Sequence, residues 1–135
     1  MTGASKRKGD LAEREAATLI HDLLGVPARR KLGAGRLDDE GDLDGIPNTT
    51  VQVVSRSTDV VAVGVVRKPL EADAQAQRAG TTFAATFVRI RGGTWRVVMT
   101  PEAWATMWRE ATAFPAPPKP PWWEEPTLFD GEATA

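Results

Sequence analysis

Between residues 10 and 24 the apolar positions recur at helical spacing. Ala16, Ala17, Ile20 and Leu24 share a face with Glu13, whereas Glu15, Thr18 and Asp22 fall on another. The spacing predicts a helix over 10–24, stopped by Gly25-Val26-Pro27. Residues 28–32 then read as a short strand bearing Arg29, Arg30 and Lys31, and Gly33-Ala34-Gly35-Arg36 as a glycine loop. That loop lacks the strand-to-helix setting of a nucleotide fingerprint. Over 41–56 the period becomes two, giving two short strands joined by Pro47-Asn48. Proline presets φ there and asparagine tolerates the turn backbone. Alternate strand residues share a face. Asp42 and Asp44 therefore point one way, and Gln52, Val54 and Arg56 share one side of the second strand. Val51, Val53 and Ser55 line its other side.

The pattern is least informative over 60–66, which is apolar with a glycine at 64. Pro69 suits the first turn of a helix running to 79, with Gly80 closing it. Glu71, Gln75 and Arg78 lie along one side of this helix, which reads from spacing as a solvated face. Residues 82–90 and 94–99 are strands about a Gly92-Gly93 turn. Thr100-Pro101-Glu102 then opens a last helix with a cap, a proline at its first position and an acid in its first turn. Its apolar face is Trp104, Met107, Trp108 and Ala111, suited to a core or a dimer interface. This order of elements is α/β, with a central mixed β-sheet flanked by helices. Flanking it are a basic arm, residues 1–8, read as mobile, and a tail, 115–135, opening with five prolines in seven residues. The domain proper is 9–114.

Composition narrows the chemistry. The chain of 135 residues has no cysteine, one histidine (His21) and no tyrosine. Thiolate zinc sites, histidine clusters and tyrosine-linked strand transfer are therefore excluded. No run is long and apolar enough for a membrane span, and the basic start lacks the apolar segment of a signal peptide. These features imply a cytoplasmic protein. Net charge is −1 overall, but the tail sets Lys119 against Glu124, Glu125, Asp130 and Glu132, leaving about +2 on the body. Basic clusters, Lys6-Arg7-Lys8 and Arg29-Arg30-Lys31 with Arg36, stand beside the acids Asp38, Asp39, Glu40, Asp42 and Asp44. Such a layout suits phosphate binding next to a bound cation, or a solvated loop of mixed charge. Asp42 facing Gln52 across neighbouring strands offers the hard oxygens that Mg²⁺ takes.

Gly41-Asp42-Leu43-Asp44-Gly45, a turn, and an apolar strand carrying Gln52 resemble the core of the PD-(D/E)XK nuclease superfamily. The likeness is greatest to archaeal-type Holliday junction resolvases and their phage relatives. Lys8-Gly9-Asp10-Leu11-Ala12-Glu13-Arg14 is similar to that family's first-helix pattern. The resemblance covers about residues 6–110. It implies a restriction-endonuclease-like core, a homodimer, branched double-stranded DNA as substrate, and Mg²⁺ or Mn²⁺ held by Glu13, Asp42 and Gln52. It also implies phosphate contacts from the basic clusters and a helical glutamine, Gln75, that orients the site. On the residues alone, Glu13 equally fits a salt bridge or a first-turn acid favoured by the helix dipole.

The sequence departs from the family pattern at Val54, where that pattern has lysine. Three accounts are open. Arg56 or Lys68 supplies the cation, the metal alone activates water, or the site binds DNA without cutting it. In the tail, Leu128-Phe129 after an acidic stretch is similar to short motifs that dock on bacterial sliding clamps, with Glu125 where those motifs have glutamine.

Overall fold

Chain reversals in this molecule are set by a few residues, and the sheet follows from them. The structure is a computed structural model that describes residues 3–31, 41–56, 58–113 and 122, with side chains from residue 9 onward. Helix α1 spans Gly3–Leu24, so it starts seven residues before the expected point and takes in residues 3–8 of the basic arm. Ala4, Lys6, Arg7 and Lys8 are all good helix formers, which accounts for the extension. A short β1, Arg29–Arg30, pairs antiparallel with β2, Leu43–Asp44. Asn48 takes the left-handed turn backbone, φ 55°, as its residue type allows. Its Oδ1 and carbonyl accept from the backbone N–H groups of Thr82 and Phe83, tying the turn to the start of the fourth strand.

The main sheet has three strands: β3 (Thr49–Ser55), β4 (Phe83–Ile90) and β5 (Thr94–Val98), in that order. β3 and β4 run parallel and β4 and β5 antiparallel, so the sheet is mixed, and the class is α/β as expected. The parallel pair needs a crossover. The uninformative run 60–66 is part of it: Val61–Arg67 is π-helical and leads directly into α2, Lys68–Ala79. The wide winding is visible in the Lys68 N–H, which reaches back five residues to the Val63 carbonyl. Gly64 permits this approach, since a Cβ there would stand 3.1 Å from Val88 Cγ1.

Helices cover both faces of the sheet. Ala16, Ala17 and Ile20 of α1 form one core with Leu43 and Val51, and Val53, Phe87 and Trp95 pack against it. On the opposite face Val54 and Val88 lie under Val63 of the π-helical turn, and Ala84 lies under Ala72 and Ala76 of α2. Helix α3, Pro101–Thr112, starts at the expected cap: Thr100 Oγ1 accepts from Ala103 N–H at 3.1 Å. The same hydroxyl donates to Asp73 of α2 at 2.7 Å. Thr100→Ala removes both bonds and is expected to cost about 1–2 kcal/mol, measured by urea unfolding. The aromatic face of α3 is not core. Trp104 is 59 % and Met107 44 % exposed, and no residue of this helix is buried.

Candidate functional site

Asp42 is placed by the chain on either side of it. Gly41 adopts φ 105°, and a Cβ there would meet Val51 O at 3.1 Å and Thr50 Cγ2 at 3.0 Å. Only glycine lets the strand lie this close to β3. Asp42 then donates its backbone N–H to the Val51 carbonyl at 2.8 Å, while its Oδ2 accepts from Val53 N–H at 2.8 Å. These bonds bracket Gln52 and hold Asp42 against that residue's backbone.

Gln52 points away from α1, into the layer beneath α2. Its amide nitrogen donates to Gln75 Oε1, with both residues nearly sealed from water at 4 % and 2 % exposure. Gln75 is therefore not on a solvated helix face, as the spacing of Glu71, Gln75 and Arg78 had it. α2 turns this position onto the sheet, where it meets the second strand's glutamine. Thr86 stands beside Gln52 in the strand register and is fully buried; its Oγ1 is the buried side-chain polar atom left unpartnered among the described residues. Thr50 and Thr81 share a hydroxyl bond of 2.7 Å in the same polar tier. A buried amide pair with a free hydroxyl alongside is a costly arrangement to leave incomplete.

Glu13 lies on the α1 face. It accepts from Arg30 Nε at 3.3 Å, and Asp10 accepts from Arg30 Nη2 at 2.8 Å. The core-facing carboxylate thus has a guanidinium partner, and its tie runs to β1. Arg30 neighbours Leu43 in the β1–β2 register, and Lys31 N–H donates to the Asp42 carbonyl, so the ion pair adjoins the Asp42 strand. Glu15 does not simply face solvent: its Oε2 takes Arg89 Nε of β4 at 2.6 Å. Nothing in local spacing could have revealed a partner 74 residues away.

Val54, at the lysine position of the resembling pattern, is buried among Val63 and Val88. Lys68 opens α2 and binds Glu71 at 2.9 Å, and Arg56 is exposed just beyond β3. Arg36, the side chains of Lys6, Arg7 and Lys8, and the tail's Leu128 and Phe129 lie outside the described residues. Arg29, Arg30 and Lys31 are on or beside β1, and the structure adds Arg14, which sequence reading left out of the basic set. Arg14, Arg29 and Arg30 line a cleft of about 510 Å³ between α1 and β1, with Ala17 and Thr18. Arg14 and Arg29 are exposed, and neither is ion-paired among the described residues. The signal for Arg14 was its place one helical turn before Thr18, on the outward side of α1.

Among the described residues no three His, Asp or Glu side chains converge as a metal-binding group. The Asp42 carboxylate, which accepts from the Val53 N–H, and the amide oxygen of Gln52, the residue before Val53, are of the hard type Mg²⁺ accepts, and Mg²⁺ commonly keeps several waters. No helix among the described residues is long and apolar enough to cross a membrane. No family model, curated protein or solved structure matches this chain.

Proposed function

We propose that this protein is a structure-specific, metal-dependent DNA endonuclease of the Holliday junction resolvase kind, acting as a homodimer on branched DNA. The observation that carries the reading is the Asp42–Gln52 arrangement. A carboxylate is clamped to the strand that bears a buried, hydrogen-bonded glutamine, next to a cleft of exposed guanidinium groups. Arg14 and Arg29, with Arg30 between β1 and the α1 acids, would grip backbone phosphates, where paired charges position DNA without reading its sequence. Asp42 and Gln52 would hold Mg²⁺ or Mn²⁺, which when bound activates water for attack at phosphorus. Gln75 fixes the amide of Gln52, and Arg56 or Lys68 supplies positive charge near the strand end. A two-fold enzyme suits a two-fold junction.

One observation favours a second reading, a DNA-binding or recruitment protein that does not cut. Val54 is packed into an aliphatic cluster, so a charged amine is neither present nor easily accommodated there. Both readings are tested by incubating the purified protein with a labelled four-way junction or linear duplex in Mg²⁺, Mn²⁺ or EDTA. Paired, metal-dependent nicks on the junction are expected. Tight junction binding with no nick in either metal overturns the enzyme and leaves the binder. Failure to bind junction or duplex overturns both.

A further inference from the structure

Two clefts flank helix α1 and meet over it. The first, between α1 and β1, is the one lined by Arg14, Arg29 and Arg30. The second, of about 440 Å³, lies between α1 and β5. Leu19 and Trp95 are its apolar walls, with Arg14, Glu15, Thr18 and Asp22 beside them. Arg14 and Thr18 border both clefts, and both are exposed. The sequence sets this up: Ala16, Ala17 and Ile20 turn α1 onto the core, which leaves Arg14 and Thr18, four residues apart, together on the outward ridge.

Trp95 is held in place by its surroundings. It packs against the core of Ala16, Ala17 and Ile20, yet it is only half-buried, so the rest of its indole borders the cleft. Its partner across the β4–β5 ladder, Arg89, donates to Glu15 at 2.6 Å. That bond ties α1 to the sheet beside the indole and offsets the charge of Glu15. The Asp22 carboxylate repels phosphate from this end of the second cleft. A phosphate chain is therefore favoured on the Arg14–Arg29 side, and an uncharged ring on the Trp95 side.

A concave surface with apolar walls and a few polar groups is the usual form of a ligand site. A basic track beside an aromatic ring is how proteins hold single strands, the phosphates on the cations and a base stacked on the ring. Bases within a duplex have both faces covered by their neighbours, so Trp95 can take only an unpaired one.

We propose that an unpaired DNA strand crosses α1 at Arg14 and Thr18, with one base stacked on Trp95 and the adjoining phosphates at Arg14 and Arg29. The phosphate half rests on the DNA-binding surface of the proposed function. The base half adds a single strand to the double-stranded DNA named there, and needs neither metal nor cleavage.

The test is titration of the full-length protein, in EDTA, with an oligothymidylate of about a dozen nucleotides, within the usual site sizes. An abasic strand and a duplex of the same length are the controls. Tryptophan fluorescence should be quenched by the oligothymidylate and not by the abasic strand, which should bind roughly tenfold more weakly. Trp95→Leu keeps an apolar side chain against the core and should lose both the quenching and about tenfold in affinity, with its salt dependence unchanged. Arg14→Ala should keep the quenching at saturation and flatten the slope of log affinity against log salt by about 0.7, the amount for one phosphate contact on a single strand. Equal binding of oligothymidylate and abasic strand overturns the proposal, and that comparison uses the unaltered protein, so it decides even if Trp95→Leu fails to fold. A folded Trp95→Leu that binds and is quenched like the parent also overturns it. Junction nicking without base-dependent strand binding removes this inference and keeps the nuclease. Base-dependent strand binding without nicking in Mg²⁺ or Mn²⁺ keeps this inference and removes the cut.

Discussion

Asp42→Asn is expected to reduce metal-dependent nicking of a four-way junction to background while leaving the unfolding free energy, measured with urea, within about 0.5 kcal/mol of the parent. Asparagine keeps an oxygen that can accept the Val53 N–H, so the strand bracket survives. What is lost is the negative charge that would bind a cation. Asp42→Ala should behave differently, because it also orphans that part-buried N–H and costs about 1–3 kcal/mol. Comparing the two by unfolding and by gel-resolved cleavage separates the chemistry of the carboxylate from its structural bond. If Asp42→Asn cuts as well as the parent, the assignment of this carboxylate to the metal is wrong. Junction affinity, measured by mobility shift in EDTA, should be the same in parent and Asp42→Asn.

Gln75→Leu is expected to destabilise the protein by about 1–3 kcal/mol, since it strands the buried amide of Gln52 without its acceptor. The double substitution of both glutamines by leucine should recover most of that loss. Replacing both members of a buried pair by apolar groups of similar shape is close to neutral. A shift in denaturation midpoint with an unchanged slope is the readout. Under the proposed function the double variant should also be inactive despite its stability, because no amide oxygen is left for the cation. Additive losses in the double variant would mean that the two amides are not coupled.

The readable parts of this fold are those in which local spacing and burial agree. Helix α1 announced itself through Ala16, Ala17 and Ile20, all buried as the stripe requires. The Thr100-Pro101 cap, the Asn48 turn and the alternation in β3 were likewise written in residue chemistry. Where the reading stopped, the deciding partner was remote. Gln75 looked like a surface residue because its neighbours at helical spacing, Glu71 and Arg78, are charged. Its partner sits 23 residues earlier, on a strand. Glu15 and Arg14 present the same limit. Solvent-facing and partner-facing sides of α1 cannot be told apart until β1 and β4 are in place. The α3 stripe shows the converse: a strong amphipathic signal fixes where a helix is, and not what covers it.

The π-helical turn Val61–Arg67 acts as a phase setter between strand and helix. Each helical residue advances the winding by about 100°, so adding or deleting one residue within this turn would rotate α2 by that amount relative to the sheet. Gln75 would swing off Gln52, and Ala72 and Ala76 would leave Ala84, although none of these residues had changed. Length variation is therefore constrained at the start of this crossover in a way that substitution is not. An alanine inserted at residue 62 should disturb the glutamine pair more than many exchanges made within α2 itself.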